Sequence, residues 1–198
     1  MSANINTSKY IDLFDTHIKR SGSDKLREYI LKSSFFTAPA SSKYHGAYNG
    51  GLCAHSLNVY NEMLRLRNAF QEININDESL AICSLLHDVC KIGCYKTEMR
   101  NKKENGVWIQ VPFYVFEECF PFGSHGGKSV WIIERFMRLT EEEAVAINCH
   151  MGNEDGKYSV SAAYEKYPLA WLLHVADESA TFITESQYKG EPVYGENQ

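Results

Sequence analysis

Leu85-Leu86-His87-Asp88-Val89-Cys90-Lys91-Ile92-Gly93 sets a histidine beside an aspartate near the end of an apolar run. Upstream of this pair, Leu80, Ile82, Leu85, Leu86 and Val89 cover most faces of a helix predicted over Glu78 to about Ile92, as expected for the central helix of a bundle. Asn76 or Asp77 can cap its start and Gly93 can end it. The preceding helix, predicted over about Leu52 to Phe70, carries Leu52, His55, Val59, Met63, Leu66 and Phe70 along one stripe, so His55 points inward. A turn-rich stretch, Thr37 to Gly51, leads into it. Before that, Tyr10 to Phe36 has helix-compatible spacing broken near Ser21-Gly22-Ser23, which predicts two short helices.

Beyond the pair, Val107 to Val111 and Phe113 to Phe116, with the turn-like Glu104-Asn105-Gly106 before them, predict a small β-hairpin inserted over about 95–122. Helical periodicity returns at Lys128 to Leu139. Thr140 and Glu143 form a capping box for a helix through His150, which Gly152 can end. Pro168 suits the first turn of a last helix, Leu169 to about Ile183. The polar tail from 187 is expected to be loosely held. The fold class expected is all-α, a helical bundle with an inserted β-hairpin, forming one domain over 1–198 with its core at about 36–183.

The 198 residues, 44% apolar, suffice for one substantial core. A net charge of −5 argues against a surface that grips long nucleic acid, while leaving room for a local basic pocket. No apolar run approaches the roughly 18–20 residues that span a bilayer, and Met1 to Lys9 is polar, so a cytoplasmic protein without membrane partners is expected. The six cysteines include no C-x-x-C pair and read as reduced core thiols.

His55, His87, Asp88, His125, His150 and Asp177 each lie on or beside an apolar helical segment. Burying an unpaired carboxylate costs several kcal/mol, and burying two calls for a cation nearby. Neutral imidazoles with carboxylates suit zinc, manganese or iron, and the core between helices is where bundles build metal sites.

The run Leu85 to Gly93 resembles the defining motif of the HD-domain superfamily of metal-dependent phosphohydrolases, and His55, His87, Asp88 and Asp177 follow its order, H…HD…D. The stretch Phe36 to Leu57 is similar to the segment that introduces the first metal histidine in the HD domains of bacterial 3′-to-5′ exoribonucleases. These 198 residues are expected to hold no counterpart of those enzymes' appended oligonucleotide-binding barrel, and the hairpin has no counterpart in them. The resemblance, over about Phe36 to Ile183, implies one divalent ion on His55, His87, Asp88 and Asp177 and a second on His125 and His150, bridged by Asp88; the ions are Mn, Fe, Co, Ni, Zn or Mg. With one ion only, His125 and His150 would instead face substrate phosphate. His174, three residues before Asp177, is not a ligand on this pattern, and His17 reads as a surface residue.

The implied reaction is hydrolysis of a phosphoester of a nucleotide or short oligonucleotide by a metal-bound hydroxide, with Asp88 orienting the water. Lys91, four residues after His87, would share its helical face and, by the resemblance, contact phosphate; a helix-end lysine snorkelling into solvent is the bland alternative. Lys128 would add a second phosphate contact or be solvated. His45 and Tyr48 would line the pocket or pack the turn. Trp108, Phe113, Tyr114 and Phe116 can stack a base, although covering the core is the favoured reading. Two other functions share the pattern: a diiron oxygenase resembling inositol oxygenase, and a non-catalytic nucleotide-binding module. The segment before His55 favours hydrolysis, and oligomeric state stays open.

Overall fold

The computed structural model describes residues 2–152 and 160–186; the tail from 187, expected to be loose, lies outside them. The elements are α1 (Ser2–His17), α2 (Ser23–Lys32), α3 (Gly51–Ala69), α4 (Asp77–Leu86), β1 (Tyr95–Glu104), β2 (Val107–Phe116), α5 (His125–Glu134), α6 (Glu141–Cys149), α7 (Val160–Lys166) and α8 (Pro168–Ser179). A 3-10 turn, Val89–Lys91, follows α4, and a π-turn, Ala180–Thr184, follows α8. The fold is mainly helical with one small antiparallel sheet. Among the described residues no helix is long and apolar enough to cross a membrane.

α4 is the central helix: every residue from Ser79 to Leu86 is buried, and it packs against α1, α3, α6 and α8. Asn76 caps it by accepting from the Ser79 amide. The core extends ahead of residue 36, since Tyr10, Phe14, Ile18, Leu26 and Ile30 are all buried and the Tyr10 hydroxyl donates to the Leu85 carbonyl at 2.9 Å. Five cysteines are buried and unbridged, as expected, but Cys119 is exposed.

Several boundaries differ from the sequence reading. α4 ends at Leu86, not near Ile92: His87 keeps helical angles, while Asp88 turns to φ −109°, ψ 15° and starts the 3-10 turn. α5 begins at His125, three residues early, because Ser124 accepts from the Gly127 amide and supplies a cap. α7 was not anticipated. Thr140 and Glu143 form the expected capping box.

The hairpin pairs Tyr95 with Phe116 through to Glu104 with Val107. Its two-residue turn, Asn105-Gly106, has φ of 48° and 86°, the left-handed pair that matches strand twist. The sequence reading missed β1 as a strand because Tyr95–Glu104 is exposed along almost its whole length and so shows no apolar alternation. The expectation that the hairpin aromatics cover the core is corrected for two of them, since Trp108 is 67% exposed and Phe116 44%; Phe113 and Tyr114 are half-buried, and Tyr114 lines a cleft with Ala38 and Pro39.

Candidate metal centre

Six side chains from five segments meet at one corner. His55 comes from α3, His87 and Asp88 from the end of α4, His125 from the first turn of α5, His150 from the end of α6 and Asp177 from α8. Glycine brings two of these together, since a Cβ on Gly126 would lie 2.1 Å from the Ile147 carbonyl oxygen; only glycine lets α5 settle this close to α6.

Asp88 is the hub. Its Oδ1 lies 2.6 Å from His125 Nε2 and 3.7 Å from His150 Nε2, while Oδ2 lies 3.5 Å from His87 Nε2, 3.9 Å from His55 Nε2 and 2.6 Å from Lys91 Nζ. Asp177 Oδ1 lies 3.0 Å from His55 Nε2. The imidazoles are oriented from behind: His87 Nδ1 donates to the Ser84 carbonyl at 2.9 Å, His150 Nδ1 to the Ile147 carbonyl at 2.6 Å, and His55 Nδ1 to Glu185 at 2.9 Å. Each Nε2 is thereby aimed inward, the outer-shell arrangement that fixes the tautomer of a metal-ligating histidine. His87 Nε2 and His150 Nε2 are buried with no hydrogen-bond partner. A buried nitrogen without a partner carries an uncompensated desolvation cost, which a cation would remove.

The electrostatics agree. Burial alone would raise the Asp88 carboxyl, but the charges of Lys91 and His87 and the hydrogen bond with His125 outweigh it and hold Asp88 well below the usual carboxylate range. Asp177 is likewise lowered against burial, by His55 first. Burial would lower His55, yet its bonds to Asp177 and Glu185 push it up to about 10. His87 goes to about 4 because burial dominates. Donor atoms of His55, His87 and Asp88 lie within 4.8 Å of one another, as do those of His87, His150 and Asp177, and those of Asp88, Cys90 and His125. These buried groups can hold a metal ion.

A cavity of about 340 Å³ opens above the corner, lined by His45, His55, Asp88, Lys91, Asp177 and Glu178 with Tyr44, Met151, Thr181 and Phe182. His45 is where it was expected, its ring centroid 4.9 Å from that of His55, with its own proton affinity lowered to about 4, first by burial. Lys91 reaches the cavity by a different route: the helix stops before it, and the 3-10 turn brings its ammonium to Asp88. Tyr48 lines a separate cleft with Asn58 and Glu62, and Lys128 pairs with Glu118 at 2.5 Å, so neither lines this cavity. His174 Nδ1 donates to the His150 carbonyl at 2.7 Å rather than reaching the corner, and His17 is half-buried against the Tyr60 hydroxyl instead of fully exposed.

Glu185, Cys90, Tyr44 and Phe182 escaped the sequence reading. Cys90 Sγ lies 3.5 Å from His125 Nε2, and its position two residues after Asp88 was the one available signal. No family model, curated protein or solved structure matches this chain.

Proposed function

We propose that this protein is a divalent-metal-dependent phosphohydrolase acting on a nucleotide phosphoester, of the HD-domain kind that its motif order resembles. The observation that carries the reading is the pair of fully buried imidazole nitrogens, His87 Nε2 and His150 Nε2, that make no hydrogen bond and face Asp88 at 3.5 and 3.7 Å beneath a cavity with a lysine in its floor. The Nε2 atoms of His55, His87 and His150 with Asp88 and Asp177 fit a borderline divalent ion such as manganese, iron or zinc.

The division of Asp88 supports a two-ion set, with Oδ2 towards His55 and His87 and Oδ1 towards His125 and His150. A metal bound here supplies charge neutralisation at phosphoryl oxygens and a water of lowered pKa. The chain's own residues do the rest. Lys91 is held charged, since Asp88 outweighs the burial that would lower it, and presents a fixed ammonium to a phosphate oxygen. Asp88 stays ionised and can accept a hydrogen bond from the attacking water while serving as a ligand. The buried walls exclude bulk water and strengthen both interactions. A cation in the cavity floor suits an anionic substrate, which favours hydrolysis of a phosphoester over oxygenase chemistry.

The test is elemental analysis of the purified protein, followed by phosphate release from a panel of nucleotides with manganese, cobalt, nickel and iron supplied separately. One or two equivalents of metal and release from at least one nucleotide are expected. Asp88→Ala should lose metal and lower activity by on the order of 10³-fold or more. Retention of both by that variant, or substrate-dependent oxygen uptake by the iron form, would overturn the reading.

A further inference from the structure

The cavity has two unlike ends. Its floor is built from the buried His55, Asp88 and Asp177, with Lys91 beside them, while Tyr44 is 74% exposed, Phe182 59% and Met151 42%. A single exposed aromatic is ordinary. Two rings and a thioether around the open end of one polar-floored cavity are the makings of a ligand site, apolar walls with a few convergent polar groups.

Both rings are placed by defined backbone. Ser41 Oγ accepts from the Tyr44 amide at 2.9 Å and donates to the His45 carbonyl at 2.7 Å, tying down the loop that presents Tyr44. Phe182 sits in the π-turn after α8, where the wider register, closed by the Glu185 amide on the Ala180 carbonyl at 2.8 Å, buries Ala180 and leaves Phe182 on the cavity rim. The volume, about 340 Å³, is at the small end of the ~300–1,000 Å³ typical of small-molecule sites. A longer strand would need a basic track for its successive phosphates. Among the described lining residues Lys91 is the sole lysine or arginine, and the rim carries Glu178.

We propose that Tyr44 and Phe182 stack the base of a single mononucleotide whose phosphate lies at Lys91 and the metal corner, making the site selective for mononucleotides and tolerant of base identity. The tolerance follows because every base offers a π-face to an aromatic ring. The proposal rests on the phosphohydrolase reading for its phosphate end, but its base end is tested by binding alone.

The probe is the 5′-methylenephosphonate analogue of 2-aminopurine riboside monophosphate, whose carbon–phosphorus bond resists hydrolysis and whose fluorescence is quenched on stacking. Manganese-loaded protein should quench it. Tyr44→Ala and Phe182→Ala, at exposed positions, should each weaken binding by about 5- to 100-fold. Tyr44→Phe and Phe182→Tyr should restore it, and displacement by ribose 5-phosphate should change little in any variant. Absence of quenching, or alanine variants that bind like the parent, would overturn the proposal. Quenching without phosphate release from any nucleotide would sustain the stacking site and sink the phosphohydrolase reading. Equal turnover of ribose 5-phosphate and nucleotides, unchanged in the variants, would do the reverse.

Discussion

Glu185 accepts from His55 Nδ1 at 2.9 Å and from the Asn58 side-chain amide at 3.0 Å. Through these bonds it holds the His55 ring and keeps Nε2 turned to the corner. Removing such an outer-shell partner commonly lowers metal affinity about 10- to 100-fold. Glu185→Ala should do so in a chelator competition, and Glu185→Gln should lose less because its amide oxygen still accepts from Nδ1. Equal affinity in all three proteins would show that the carboxylate does not position the ring. His87-Asp88 was legible from its place in an apolar run together with the segments that flank it, an isolated His-Asp pair meaning little. Nothing comparable marks Glu185. In Thr184-Glu185-Ser186 it looks like a surface glutamate, and only the π-turn folds it back over His55.

At the scale of elements, Arg20 joins the α1–α2 connection to two helices. Its guanidinium donates to Glu143 at 2.7 and 2.9 Å and to Glu78 at 3.1 Å. Glu143 is fully buried, also accepts from the Ser79 hydroxyl at 2.7 Å and closes the capping box on the Thr140 amide. Deleting the cation leaves a buried carboxylate with neutral donors only, which costs about 3 kcal/mol, the low end for a broken buried pair. Urea unfolding of Arg20→Ala should show that loss as a shifted midpoint with an unchanged slope. A shift below about 1 kcal/mol would mean that Ser79 and Thr140 suffice. The capping box was readable from Thr140 and Glu143 because it is a local pattern; the second task of Glu143, as an anchor for Arg20 some 120 residues away, was not. The end of α4 was misread for a related reason. Apolar periodicity runs on through Val89 and Ile92, so nothing local announces that Asp88 leaves the helix to face His125 and Lys91.

For the molecule as a whole, the charge balance of the corner links fold stability to pH and to metal. In the metal-free protein His55 sits at about 10 against an ordinary 6.5, so its contribution is fully present below about pH 6.5 and is lost as pH rises towards 10. Asp88 and Asp177 are held below their ordinary 3.8, so theirs is present above that value and lost as pH falls through their lowered range. A metal on His55 Nε2 displaces the proton, so the metal-bound form gains on the metal-free form as pH rises. The difference in melting temperature between manganese-loaded and chelator-treated protein should therefore widen from pH 6 to pH 9. A constant or narrowing difference would remove His55 from the ligand set.

Taken alone, the chain's apolar periodicity determined a helical domain around α4, and its local chemistry determined the Thr140 cap and a turn at Asn105-Gly106, because these are local properties of backbone and side chain; that this turn joins β1 to β2 was not legible. Which atoms share the corner was decided by the tertiary structure. His55 and Asp177 are 122 positions apart yet 3.0 Å from contact atom to contact atom, a pairing set by how α3 packs on α8. The same packing decided that Lys91, His45, Tyr44 and Phe182 share one cavity while Lys128 and Tyr48 do not. Side-chain direction at a helix end or in a loop depends on a few backbone angles, and those angles answer to distant neighbours.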